Sequence, residues 1–265
     1  MNTFLKSRIV RIFIVLSFLV SFFLILFSSA VHLYQKRSEI SKFLNKKINT
    51  EYQPNIVWKQ RDLAKDIISN GGYILLFRHA EREKWIDVKK YDSIEVLNNL
   101  NAENEYFSKA VCLSDRGLVQ ARAMGELIEK INLPYHVVVS SPSCRARQTA
   151  ELAFRGYDYT KNIFMHYGPF YEDKNEMAKN VKNEILKIEI KENSNAIISA
   201  HNGVVRTTDI FDRIDKQIDF SKIAEKFMEE GGFIVMKNDK GKLVFVDLFF
   251  TFHKFYGNLF ERPQN

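Results

Sequence analysis

The sequence predicts an α/β fold: a three-layer α/β/α sandwich with a mostly parallel central sheet and a C-terminal β-hairpin, preceded by an N-terminal transmembrane helix. Three observations predict it. Apolar, strand-like runs recur at 73–77 (Tyr-Ile-Leu-Leu-Phe), 136–140 (His-Val-Val-Val-Ser) and 196–200 (Ala-Ile-Ile-Ser-Ala); unbroken runs of this kind read as strands buried on both faces of a parallel sheet. Helix-compatible sequence lies between them, and alternation of strands and helices indicates an α/β sandwich. Gly231-Gly232, a run at 233–236, an Asn238-Asp239-Lys240-Gly241 turn and a run at 243–250 then make a terminal hairpin.

With 265 residues the chain has room for one substantial domain and a small appendage. The appendage is residues 1–33. Lys6, Arg8 and Arg11 precede an uncharged stretch at 12–31, about the length a helix needs to cross a hydrocarbon core of roughly 30 Å. The run is longer than an ordinary signal-peptide core, which favours a retained anchor; Ser28-Ser29-Ala30 supplies the small residues of the alternative, a cleaved signal. Lys36, Arg37, Lys42, Lys46 and Lys47 blur the charge bias that would fix orientation. The simplest arrangement is a single pass through the plasma (inner) membrane that exports the remainder to the periplasm or exterior. Residues 34–57 read as a Lys-rich juxtamembrane spacer, and 58–265 as the folded domain. The net charge of +7 is spread along the chain without a basic block, so no nucleic-acid partner is expected.

Within the domain, Trp58, Leu63, Ile67 and Ile68 recur at near-helical spacing, which predicts a helix over 58–69 ended by Gly71-Gly72. The long polar segment 81–111, with Trp85, Tyr91, Tyr106 and Phe107, reads as a lid or substrate-lining loop containing some helix. Ser114 can cap a helix through Leu118, Ala121, Gly125 and Ile128, and Pro134 precedes the second strand. Ser143 can cap another through Ala146, Ala150 and Ala153, and 168–192 begins as a loop that turns helical at Met177, Val181, Ile185 and Ile188.

Each of the three strands is followed by a basic or histidine-bearing cluster: Arg78-His79, Arg145 within Ser-Pro-Ser-Cys-Arg-Ala-Arg, and His201. Ligands of open α/β sheets sit outside the carboxyl ends of strands, so these groups can converge on one crevice. Two guanidiniums and two imidazoles suit a phosphate monoester, whose oxygens match the planar fork of arginine. Arg78 and Arg145 form the clamp. A neighbouring cation disfavours protonation of His79 and keeps an imidazole nitrogen nucleophilic, while His201 is placed to donate a hydrogen bond to an equatorial oxygen. A leaving alkoxide needs a proton. Glu172 is the chosen donor, with Asp173, Glu176 and Glu81 as the other carboxylates. Arg82 is placed at the substrate entrance, and Arg147 projects elsewhere. His32, His136, His166 and His253 read as ordinary surface or core residues. No metal-ligand spacing surrounds His79 or His201. Cys112 and Cys144 are the chain's two cysteines, either joined beside the loop carrying Arg145 or left as two buried thiols.

These segments resemble the histidine phosphatase superfamily, the phosphoglycerate-mutase-like proteins of its branch 1. The resemblance lies in Leu76-Phe77-Arg78-His79-Ala80-Glu81, Leu113-Ser114-Asp115-Arg116-Gly117 with Gln120-Ala121, Ser140-Ser141-Pro142 with Arg145 and Gln148-Thr149-Ala150, and Ser199-Ala200-His201-Asn202-Gly203. It implies a phosphohistidine intermediate on His79, a pocket of Arg78, Arg145 and His201, and neither metal nor cofactor. Ala80 stands where the family usually has glycine. Asn202 excludes the acid that the phytase branch carries after its second histidine, which sends the search for a donor to an insertion. Arg78-His79-Ala80-Glu81-Arg82 and Cys112-Leu113-Ser114-Asp115 are also similar to exported bacterial phosphatases of lipopolysaccharide sugar phosphates, which implies a phosphorylated small molecule or envelope component as substrate. The function expected is a membrane-anchored phosphomonoesterase. Its rivals are a phosphomutase of the same superfamily and a catalytically idle sensor of a phosphorylated ligand.

Overall fold

In the computed structural model, which describes residues 54–84, 88–97, 110–165, 173–205, 210–214 and 228–260, the apolar runs are the middle of a seven-stranded sheet. Strands β1 (Ile74–Arg78), β2 (Tyr135–Ser140), β3 (Tyr159–Thr160) and β4 (Asn195–Ala200) pair in parallel in the order β3-β2-β4-β1. Beyond β1 the sheet turns antiparallel: β6 (Phe233–Asp239) pairs with β1 and β7 (Lys242–Phe249) with β6, while β5 (Arg213–Ile214) closes the edge in parallel with β7. The expected hairpin is therefore an extension of the central sheet. The two-residue strands β3 and β5 are too short to leave a periodic signal in the sequence.

Successive side chains of a strand point to opposite faces, and both faces of this sheet are covered. Leu75, Phe77, Val138 and Ile197 pack with Ala64 and Ile67 of α1 (Pro54–Ser69), Met124 and Ile128 of α3 (Asp115–Lys130), and Ala150 and Ala153 of α4 (Cys144–Phe154). Ile74, Leu76, Val139 and Ile198 face the other way, onto Met177, Val181 and Ile185 of α5 (Lys174–Leu186). Burial of a large apolar side chain stabilises by about 1.5–3 kcal/mol, so the alternation pins the register of β1 and β4 and thereby the residues that follow them.

One element goes beyond the sequence reading. A helix, α6 (Phe252–Phe260), follows the hairpin. Phe252 and Phe255 of this helix pack on Phe233, with ring centroids 6.2 and 5.2 Å away. The polar segment after β1 contains helix, as expected: α2 (Val88–Leu97), which buries Asp92 and Glu95.

The chain divides between Ile56 and Val57 into two units, and the site lies in the second. Residues 1–53, with the expected membrane helix and most of the spacer, lie outside the described residues. Among the described residues no helix is long and apolar enough to cross a membrane.

Candidate active site

Strand register brings the two histidines together. Arg78 of β1 lies opposite Ala200 of β4, so the next residue of each strand, His79 and His201, emerges at the same edge. The His79 amide donates to the Ala200 carbonyl at 3.0 Å, and the two rings meet at a centroid distance of 5.2 Å and 65°. Ser140 of β2 pairs with Ser199 of β4, which delivers the N-terminus of α4, and with it Arg145, to the same place.

The tautomer of His79 follows from its partners. Nδ1 lies 2.7 Å from the Ala80 carbonyl, an acceptor only, so Nδ1 carries the hydrogen and Nε2 the lone pair. The ring is 5% exposed, and its pKa is held well below 6.5. Burial is the main cause and Arg145 the next; the Ala80 carbonyl opposes them, and Arg78 and Arg82 add smaller pushes downward. The adjacent arginine, which the sequence singles out, is thus a lesser cause than desolvation and Arg145.

His201 is wired differently. Nη2 of Arg145 lies 3.3 Å from its Nδ1, and a guanidinium can only donate, so Nδ1 is the acceptor and Nε2 carries the hydrogen. That hydrogen faces the hydroxyls of Ser141 at 3.0 Å and Ser143 at 3.2 Å, and Ser141 in turn donates to Met165 Sδ at 3.1 Å. Donation from His201 to a phosphoryl oxygen, the role expected from the sequence, requires this hydroxyl contact to be exchanged. Ser143 occupies the N-cap position of α4 but makes no side-chain cap hydrogen bond. Its hydroxyl is turned to His201 instead, a correction to its reading as a helix cap.

Both arginines come with counterions that the sequence reading does not include. Arg78 donates through Nη1 to the Met228 carbonyl at 2.7 Å and through Nη2 to Glu230 at 3.0 Å. Arg145 grips Asp92 with both terminal nitrogens, at 2.6 and 2.9 Å. Two residues on, Arg147 donates to Glu95 at 2.6 Å and to the Pro142 carbonyl. Asp92 and Glu95 stand three apart on α2, one face of a helix. Their sequence signal is weak, because isolated carboxylates in a polar segment read as solvated.

The remaining motif residues tie these pieces together. Thr149 accepts from the Ala80 amide and donates to the Arg145 carbonyl. Gln120 accepts from the Glu81 amide at 2.9 Å and donates to the Glu230 carbonyl at 2.7 Å, and Gln148 accepts from the Leu113 amide at 2.8 Å. Ser114 caps α3, as expected, by accepting from the Gly117 amide. Cys112 and Cys144 form a disulfide directly before Arg145.

Among the other site residues expected from the sequence, Arg82 is partly exposed and donates to the Glu83 carbonyl at 2.7 Å, with its pKa lowered first by burial and then by Arg145. Glu81 is committed to Arg116 at 2.7 Å and Ser114 at 3.3 Å. Asp173 caps α5, and Glu176 is exposed in its first turn. Glu172 lies outside the described residues, as do Trp85, Phe107, Phe170 and Tyr171 of the expected lining. A cleft of about 450 Å³ beside Arg78 is lined by Glu81, Arg116, Gln120, Glu229 and Glu230. Among the described residues no group of three or more His, Cys, Asp or Glu side chains is arranged to hold a metal.

Residues 74–164, from β1 past β3, match the family model of the histidine phosphatase superfamily (branch 1). That stretch contains Arg78, His79 and Arg145 in the arrangement just described. Over that stretch the chain is similar to the histidine phosphatase superfamily. A curated relative, the mitochondrial serine/threonine-protein phosphatase Pgam5 of Drosophila virilis, is 27% identical over 105 residues, 40% of this chain and 30% of that protein. The likeness thus spans less than a third of that phosphatase. Solved structures that are similar include the protein histidine phosphatase SixA complexed with tungstate, at 13% identity and TM-score 0.44 over 66% of this chain and 95% of that one. Another is a phosphoserine phosphatase of Entamoeba histolytica in complex with 3-phosphoglyceric acid, at 14% identity and TM-score 0.42 over 66% of this chain and 95% of that one. His201 lies beyond the matched stretch, and the β1–β4 pairing is what joins it to the rest.

Proposed function

We propose that this chain is a phosphomonoesterase that works through a phosphohistidine on His79. The observation that carries the reading is the state of that ring: Nδ1 is committed to the Ala80 carbonyl, and burial with Arg145 keeps the imidazole neutral, which leaves Nε2 as a nucleophile beside two guanidiniums. In the first step Nε2 attacks phosphorus, the P–O ester bond breaks, and the leaving alkoxide takes a proton from an acid. Arg78 and Arg145 stabilise the charge on the phosphoryl oxygens. In the second step water attacks phosphorus, the P–N bond breaks, and the deprotonated donor recovers the water's proton as phosphate leaves. Glu172 is proposed as that donor from its place in the sequence. Neither step calls on a metal or cofactor.

The substrate is proposed to be a phosphorylated small molecule or an envelope component, met in the periplasm or outside the cell by a domain anchored through residues 12–31. The disulfide supports that location, because such bonds persist in oxidising compartments. An exported site surrounded by water also suits hydrolysis better than transfer to a second substrate hydroxyl.

The test is phosphate release by the full chain in detergent across a panel of phosphomonoesters, with a chelator present, beside His79→Ala. Turnover that survives the chelator and falls by about a thousandfold or more in the variant supports the mechanism, since loss of a covalent nucleophile costs on that order. Comparable turnover by the variant would sink it.

A further inference from the structure

Arg145 has five N–H donors, and the structure accounts for them one by one. Asp92 takes one from each terminal nitrogen, at 2.6 and 2.9 Å. The second hydrogen of Nη1 faces the Val111 carbonyl at 3.4 Å, and the second hydrogen of Nη2 faces Nδ1 of His201 at 3.3 Å. Nε is buried and has no hydrogen-bond partner among the described residues, in a side chain that is 2% exposed. The carboxylate therefore holds the end of the fork. The side-on edge, Nε and Nη2, is turned toward His201, and once Nη2 exchanges His201 Nδ1 for an oxygen, that edge can meet two oxygens of a phosphoryl group.

The charges point the same way. Arg145 is offset by Asp92 and Arg78 by Glu230, so the arginines that face a phosphoryl dianion are each already compensated. A site of uncompensated cations would hold inorganic phosphate, the product, as firmly as it holds the transition state, and binding both equally does not accelerate turnover.

We propose that Asp92 is a positioning residue for the phosphoryl site: it fixes which edge of Arg145 is presented and offsets that cation's charge so that phosphate is released. Glu95 provides the matched control. It is carried on the same helix, is equally buried, and grips at 2.6 Å a different arginine, Arg147, which also donates to the Pro142 carbonyl. The proposal rests on the phosphoryl-binding reading of this pocket, not on hydrolysis itself.

The experiment compares the full chain with Asp92→Asn and Glu95→Gln, reading inhibition by inorganic phosphate, KM and kcat separately, and the thermal shift that phosphate produces. Both variants are expected to melt lower than the parent. Only Asp92→Asn is expected to bind phosphate more tightly, by about tenfold for loss of one close counter-charge, with KM falling and kcat falling with it, and to gain more thermal stability from phosphate than the parent does. If the two variants give the same phosphate affinity, Asp92 is only a structural partner and the proposal is overturned. Should Asp92→Asn not fold, Asp92→Glu keeps the charge but moves the fork by one methylene. It is then expected to lose kcat with phosphate affinity retained, and an unchanged kcat overturns the proposal. A parent without turnover whose phosphate shift is still exceeded by that of Asp92→Asn counts against the hydrolase and for Asp92; a parent with turnover and indistinguishable variants counts the reverse.

Discussion

Thr149 Oγ1 accepts the amide hydrogen of Ala80 at 3.0 Å and donates its own to the carbonyl of Arg145 at 2.7 Å. One buried hydroxyl thus ties the turn that carries His79 to the helix that carries Arg145. Thr149→Val keeps the shape but leaves the Ala80 amide buried without an acceptor, which costs about 1–3 kcal/mol. The expected result is a lower denaturant midpoint with an unchanged slope, together with a loss in kcat, because Ala80 also supplies the carbonyl that sets the His79 tautomer. Thr149→Ser should restore most of both. Full activity in the valine variant would mean that the turn holds its geometry without this bond.

Gly117 makes a second close approach. A Cβ placed there would lie 1.8 Å from the Glu81 carbonyl oxygen, and the obstacle is backbone. The Ser114 amide donates to that same carbonyl at 3.1 Å, so α3 and the turn after His79 touch at a point where only a hydrogen fits. Gly117→Ala must push the two apart, and overpacking of this kind costs about 1–3 kcal/mol. The thermal midpoint and kcat/KM should fall together. A variant with wild-type values of both would show that the turn can slide without consequence.

The converging strand ends are legible in the sequence because chemistry-bearing residues follow directly on apolar runs, and the sheet register then leaves Arg78-His79 and His201 no other place to go. The groups that tune them are not legible. Asp92 meets Arg145 across 53 positions of chain, and Glu230 meets Arg78 across 152; neither carboxylate sits in a pattern that distinguishes it from a solvated one. Ser143 shows the opposite failure. Its position before a helix is a sound cap signal, but the hydroxyl is drawn to His201 by a tertiary contact that local sequence does not encode.

Burial of neutral His79 links stability to pH. Its folded pKa lies well below 6.5, so between the folded value and the unfolded value near 6.5 the unfolded chain binds a proton that the folded chain does not. Stability therefore rises with pH across that window. The contribution is complete above about pH 6.5 and is lost on acidification at about 1.4 kcal/mol per pH unit. Subtracting the pH profile of His79→Gln from that of the parent should isolate this slope in chemical denaturation. Parallel profiles between pH 4 and 7 would show that His79 titrates alike in both states. The same depression predicts that nucleophile protonation does not limit activity near neutral pH.

Reduction of the disulfide gives the last expectation. Cys112 and Cys144 are 32 positions apart, and closing a loop of that size in the unfolded chain is worth about 3–4 kcal/mol on loop-entropy grounds. For a domain of this size that is about 10 °C in melting temperature. The bond also bears on the site. Cys144 opens α4 one residue before Arg145, and the Arg145 amide donates to the Val111 carbonyl at 3.3 Å, immediately before Cys112. Severing the bridge loosens the strand of chain that supplies this acceptor, so Cys112→Ser/Cys144→Ser should lose kcat at temperatures well below its own melting point, with the deficit growing on warming. Melting temperature and kcat measured on oxidised, reduced and doubly substituted protein decide the matter. Equal melting temperatures in all three would remove the bond from the list of what holds the clamp in place.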